Sequence, residues 1–470
     1  IYSFISGCTS LADTALYSGL LGGINGISPV AGILVTSAIL GAWVDFYRND
    51  VDLVITPDDS SWVGAWWLSF IISSFLYFLP AIFFLGFPRV LGPDRKRGAE
   101  DFELLNGNKE VVRDDADTPT LRHEGVKLKD SVLRLWRVLR NRDCFLTCLT
   151  QASSNLVVYG YAFYVPKYLE VQFDFQTQKA DLITGCLLAP AYAIGSLLAG
   201  YLVKRLNISY RGLVSLSCVT LLIAAICVLI VMFIGCPNSK IAGVFSPYPG
   251  DSEIELDSTC NSDCRCSLSF YAPICDGDGT TYFSACHAGC TVKDDYGYSN
   301  CSCLPMKPFT NVSSDGANMD GLLATTEEGA CDDVSCGVAA AVYLAMLTAV
   351  LLFGRFAYLL GLNVIMRSVT SEERTVALGV DYLLSLIATF AAGFLFGSSI
   401  DSTCEVWQQS CDGEIGACLL YDNDRYRYAF NALALGVTVI SLLVMLVVWK
   451  FPSHKDGEEE EEKEENLGEL

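Results

Sequence analysis

Long, nearly uncharged runs of apolar residues set the pattern of this chain. A bilayer core about 30 Å thick needs ~20 apolar residues in a helix. Eight stretches reach that length: 16–46, 62–88, 143–169, 182–203, 212–235, 337–366, 376–400 and 426–451. They are too long and too numerous for helices buried in a soluble domain, and they lack the alternation over ~10 residues of transmembrane β-strands. The expectation is an all-α membrane protein. Residues 1–12 read as the end of an interrupted segment, so the chain is expected to be a piece whose earlier helices lie upstream.

Charge adds an orientation. Of the 470 residues 18% are charged, and the net charge is −22. That acidity excludes a nucleic-acid binder, which needs clustered Lys and Arg. The bases gather in three connections. Residues 89–142 carry 12 Lys/Arg after Arg89, including Arg134, Arg137, Arg140 and Arg142; 204–211 carries Lys204, Arg205 and Arg211; 367–374 carries Arg367 and Arg374. If the helices alternate, all three share one face, the cytosolic one by the positive-inside rule, and the tail joins them. The opposite face receives 236–337, with 15 acids and 4 bases, and 401–424, with 6 acids and no base. The tail 453–470 adds 9 acids and 2 Lys. It reads as a disordered solvated segment, with docking to a cytosolic partner as the second reading. The acidity therefore belongs to two outer loops and the tail, not to the membrane body.

Cysteines follow the same division. Eleven of the 20 lie in 236–337: Cys236, Cys260, Cys264, Cys266, Cys275, Cys286, Cys290, Cys301, Cys303, Cys331 and Cys336. Cys404, Cys411 and Cys418 lie in the next acidic loop. Such density in short hydrophilic segments predicts disulfides in an oxidising compartment. Zinc is the weaker alternative, because only His287 is near. An odd number in the first loop leaves one cysteine free or bonded across to the second. Two sequons there, at Asn300 and Asn311, predict N-glycosylation. The run from Pro273 through Gly277 and Gly279 to Cys286 and Cys290 resembles a Kazal-type module, spanning about 260–303. Such modules are often serine-protease inhibitors, with the inhibitory bond falling near Leu268 here.

Residues 59–70 carry a resemblance to a known family. Asp59-Ser60-Ser61-Trp62-Val63-Gly64-Ala65-Trp66-Trp67-Leu68-Ser69-Phe70 resembles the signature of the organic anion transporting polypeptide family, with Ser61 for its Arg and Ser69 for its second Gly. Lys167-Tyr168-Leu169-Glu170 and Ile400 to Cys404 with Trp407 resemble further family segments. The resemblance implies a major facilitator fold of twelve helices, of which the eight here are numbers five to twelve. It implies helices five and six in 1–88, a cytosolic linker at 89–142 and helices seven to nine in 143–235. The Kazal-like outer loop then occupies 236–336, and helices ten to twelve with the loop 401–424 occupy 337–452. It further implies a plasma-membrane carrier for large amphipathic organic anions: steroid conjugates, bile salts, prostaglandins and thyroid hormones. Transport would be sodium-independent, by exchange against a counter-anion such as bicarbonate.

Such a carrier needs a cavity between helices rather than a catalytic set, and no catalytic, cofactor or metal constellation is predicted. Arg355 lies mid-way along its segment and reads either as a charge partner for an anion or as a structural pair for Asp381. Lys167 lies near the outer end of its helix, where snorkelling competes with a cavity role. Gln151, Asn155 and Tyr159 share a helical face, with Tyr164 beyond, suiting ring contact and a few hydrogen bonds; helix packing is the alternative. Trp62, Trp66 and Trp67 equally fit an aromatic belt. Where family members carry an Arg in helix eleven, this chain has Leu386. The competing readings are a carrier of another solute class and a membrane-anchored protease inhibitor or surface protein.

Overall fold

The computed structural model describes residues 11–48, 63–85, 128–175, 177–294, 297–304, 326–331, 336–370, 372–409 and 415–452. Asp59, Trp62, Asn311, Cys411, most of the linker and the acidic tail lie outside these residues.

Each apolar run forms a helix: α1 Leu11–Leu40, α2 Trp66–Leu85, α4 Arg142–Phe173, α5 Thr177–Leu206, α6 Tyr210–Val231, α7 Gly337–Ser368, α8 Arg374–Asp401 and α9 Asn423–Lys450. Within α2, α5, α6, α7, α8 and α9 lie windows apolar and long enough to cross a bilayer. α1 and α4 are long enough, at 30 and 32 residues, but α4 is interrupted by polar residues because it lies at the centre of the packing. Local chemistry sets the ends. Asn141 Oδ1 accepts from Cys144 N at 3.2 Å, Ser209 Oγ from Gly212 N at 3.3 Å and Asp422 Oδ1 from Asp424 N at 2.9 Å, each capping a helix N-terminus. Asp174, in the left-handed region at φ 53°, ends α4.

A ninth helix, α3 Leu128–Arg140, lies in the basic linker and runs into α4 across Asn141. Val132, Leu135, Trp136 and Leu139 fall on one helical face and are exposed, whereas Val138 is buried against α4 and α8. Arg134 reaches Glu372 at 3.3 Å and Arg137 reaches Glu373 at 3.5 Å. Asn141 Nδ2 donates to Ser368 O at 2.6 Å, and Arg367 Nη1 to Ile208 O at 2.7 Å. The three basic connections thus meet at one end of the helices. Lys204 and Asp13 pair there at 2.8 Å, joining α5 to α1.

Toward the other end the core turns aromatic. Tyr168 of α4 stacks on Tyr343 of α7 with centroids 4.7 Å apart, and Phe430 of α9 meets Tyr161, Phe396 and Tyr168 within 5.5 Å. Gly160 lets α4 lie against Phe396; any side chain there would strike that ring.

Beyond the aromatic core lies the cysteine-rich module. Its strands β1 Ile241–Ala242, β2 Ile274–Cys275, β3 Thr281–Tyr282 and β6 Glu327–Glu328 form a sheet in the order β1-β3-β2-β6, with β1 parallel to β3 and the other pairs antiparallel. β4 Cys290–Asp294 and β5 Gly297–Cys301 make a hairpin, as do β7 Cys404–Gln409 and β8 Ile415–Tyr421 in the following loop. Five disulfides close the module: Cys236–Cys336, Cys260–Cys303, Cys266–Cys286, Cys275–Cys331 and Cys290–Cys301. Cys404–Cys418 closes the second hairpin. The expectation of a disulfide at Cys264 is corrected: it is an exposed free thiol. Ten of the first loop's eleven cysteines pair among themselves, and Cys264 is the one left over.

Candidate functional site

Arg355 lies where α1, α5 and α7 meet. Its Nε donates to Ser196 Oγ at 3.2 Å, and its guanidinium stands 4.5 Å from the ring centre of Tyr358 and 5.4 Å from that of Tyr192. Gly22 of α1 leaves the room; a methyl there would collide with Ser196 and come within 3.7 Å of Arg355 Nη2. No carboxylate pairs with Arg355 among the described residues, so its reading as a structural partner of Asp381 is not what the fold contains. A guanidinium held by one hydroxyl and two π-faces keeps donors free for an anion.

Gln151 and Tyr159 belong to the same neighbourhood. Gln151 Nε2 donates to Tyr358 O at 2.6 Å, tying α4 to the turn of α7 that carries the ring under Arg355. Tyr159, 39% exposed, lies two turns beyond Gln151 on the same face of α4. Asn155 is buried between them on α4. Tyr164 instead turns to α8, donating to Gly393 O at 2.6 Å. Tyr192, Tyr358 and Ser196 are absent from the sequence-based set. Tyr358 could have been found as the residue three after Arg355 on one helix face; Tyr192 and Ser196 reach the site through tertiary packing alone.

Lys167 is elsewhere. It lies 16 residues beyond Gln151 on α4, roughly 24 Å along the axis. There it pairs with Glu170 at 3.0 Å and approaches Tyr421 at 5.9 Å. It lines a cleft of about 380 Å³ between the helices and the cysteine-rich module, together with Gln172, Asp174, Phe245, Tyr271 and Tyr421. Glu170 already answers Lys167 and Asp174 adds a second carboxylate, so this cleft does not present a free cation. The six sequence-based candidates therefore do not line one cavity.

The signature residues build a corner between α1 and α2. Gly64 and Ala65 are buried, Gly64 bridges Trp43, and Trp67 Nε1 donates to Val44 O at 2.9 Å while stacking 5.9 Å from Phe46. Trp66 is 55% exposed at the start of α2. In the module, Asn300 is exposed in the left-handed region at φ 55° and its Nδ2 donates to Thr291 Oγ1 at 2.5 Å. Leu268, where an inhibitory bond would fall, has its carbonyl taken by Gln409 N of β7 at 3.1 Å.

The profile of the Organic Anion Transporter Polypeptide (OATP) family matches residues 2–426. The chain belongs to this family. Similar relatives include solute carrier organic anion transporter family member 4C1 of Rattus norvegicus, 28% identical over 96% of this chain and 62% of its own length. Member 4A1 of Mus musculus is 29% identical over 91% of this chain and 58% of its own. Member 1B1 of Homo sapiens is 28% identical over 95% and 65%. The chain thus spans about three fifths of the length of these OATP relatives. Family membership together with the apolar helices makes it a membrane protein.

Proposed function

We propose that this protein is an alternating-access carrier of large amphipathic organic anions in the plasma membrane. Its basic end and acidic tail face the cytosol, and its cysteine-rich, Kazal-like module faces outward. The helices are numbers five to twelve of a major facilitator fold. Steroid conjugates, bile salts, prostaglandins and thyroid hormones are the substrate class, moved without sodium in exchange for an anion such as bicarbonate. The observation that carries this reading is Arg355: a membrane-embedded cation that no carboxylate pairs with among the described residues, flanked by tyrosine faces, matches a ligand made of one anionic group and a ring system. It also supplies the cation that Leu386 withholds in α8. Gln151, Tyr159 and Asn155 extend the site along α4, and the Lys204–Asp13 pair latches its cytosolic end. The protease-inhibitor reading has less support. An inhibitory segment needs free backbone to pair with its target, and Leu268 is strapped to β7.

The test is uptake of a sulfated steroid into vesicles containing the whole protein, with and without an opposing bicarbonate gradient. Arg355→Ala is expected to cut uptake by roughly thirtyfold or more, equivalent to removing about 2 kcal/mol of charge interaction with the substrate, with surface expression unchanged. Arg355→Lys should recover part of it. Unchanged uptake in Arg355→Ala overturns the assignment.

A further inference from the structure

The face of α8 that packs on α4 is a stripe of buried residues: Ala377, Asp381, Ser385, Ala388 and Ala392, continued by Phe396 and Ile400. The steps of three and four place them on one side of the helix. One of them does not belong in an apolar seam. Asp381 is 3% exposed and lies seven residues into α8, roughly 10 Å from its cytosolic start. Nothing among the described residues hydrogen-bonds its Oδ1, and the hydroxyl of Ser385, one turn further on, is also buried and without a partner.

The surrounding charges are committed elsewhere. α4 presents the buried thiols Cys144 and Cys148, near enough to feel the Asp381 charge. From α3, Arg134 and Arg137 go to Glu372 and Glu373, with Glu373 acting on Cys144 as well. From α7, the Ser368 hydroxyl donates to Ile365 O and Arg367 to Ile208 O, while Arg374 of α8 itself donates to Met366 O. The titratable residues of α9 lie at its ends: Asp424, Arg425, Tyr426, Arg427 and Tyr428 at one, Lys450 at the other. A carboxylate without a cation at this depth is costly, and uptake of a proton removes the cost.

We propose that Asp381 is a proton-binding site coupled to the movement of α8 against α4. The carboxylate takes one proton from water at the cytosolic end and returns it to water when the helices part; no other bond is made or broken. Neutral, it lets the seam close; ionised, it demands water and holds the seam open. The coupling rests on the carrier reading above, whereas proton binding itself does not.

Two measurements on the whole reconstituted protein separate these. Infrared difference spectroscopy reads the C=O stretch of a protonated carboxyl on titration, and it requires no transport. A titrating carboxyl band is expected in the wild type and in Asp381→Glu, and its loss in Asp381→Asn. A band unchanged in Asp381→Asn overturns the site. Sulfated-steroid uptake is expected to change by up to about tenfold per pH unit, the limit for one proton, and to become flat in Asp381→Asn. An Asp381-dependent band with an unaltered pH profile of uptake overturns the coupling. Should Asp381→Asn fail to fold, Asp381→Ser tests the same loss with a smaller side chain. If the wild type moves no steroid at any pH, the carrier reading fails while the infrared band still decides the site.

Discussion

Tyrosines are buried both in the cysteine-rich module and among the helices, yet they are held in different ways. In the module, Tyr248 and Tyr282 stand 6.0 Å apart in an apolar cluster of seven buried residues, and five disulfides enclose it. Tyr248 also donates to His287 O at 3.1 Å, and Asn261 Nδ2 donates to the same carbonyl at 2.9 Å. In the helical body, Tyr168, Tyr343, Tyr426 and Phe430 pack ring on ring, and no disulfide lies within the helices among the described residues. The contrast follows from the solvent each part faces. A small wet segment cannot bury enough apolar surface to hold its chain, so covalent links restrict its unfolded state. Helices in lipid gain little from burying more apolar surface, so close fit and small residues decide their packing.

If that contrast holds, reduction has the largest effect. Reducing the five bridges is expected to unfold the module, at about 2–5 kcal/mol per native disulfide, and to leave the helical circular-dichroism signal of the body intact. Proteolysis between Cys236 and Cys336 reports the first and the spectrum reports the second; a helical signal that fades in step with the module would break the comparison. Next comes packing. Phe396→Ala is expected to cost the body about 3–5 kcal/mol and Gly160→Ala about 1–3 kcal/mol, read by thermal melting, with the module's protease resistance unchanged. An equal drop of resistance in the module would mean that the two parts melt as one.

The smallest effect is electrostatic. His287 is buried with its Nδ1 2.8 Å from Ser284 Oγ, and burial lowers its pKa below the ordinary 6.5. The unfolded chain therefore takes up the proton first. The module keeps its full stability above pH 6.5 and loses it as pH falls toward the folded value, by at most about 1.4 kcal/mol per pH unit. Protease resistance compared between about pH 7 and about pH 5 should show the loss, and His287→Gln should flatten it; a module indifferent to acid would refute the burial argument.

The apolar runs announce the eight long helices because lipid tolerates nothing else over such lengths. α3 is harder to see. Its four Arg and Lys make it look like linker, although Val132, Leu135, Trp136 and Leu139 already carry a helical period. Arg355 is legible because charge inside an apolar run is rare, whereas its ring partner Tyr192 comes from another helix. Lys167 shows the converse difficulty. Glu170, three residues on, already predicts an i,i+3 pair, but only the packed helices reveal a cleft apart from Arg355. Cysteine parity predicts one odd thiol without saying which, because pairing depends on three-dimensional proximity.

The bridge between Cys236 and Cys336 joins residues 100 apart in sequence with their Cα atoms 5.9 Å apart. For the helices on either side, the hundred-residue excursion is a ring closed by one covalent knot, so the link from α6 to α7 is effectively a short hairpin. The ring's length can then vary widely without altering where α7 re-enters, because loop-closure entropy no longer falls on the helices. During synthesis the knot cannot form until the whole ring up to Cys336 has been made, and its closure marks the point at which α6 and α7 become neighbours for good.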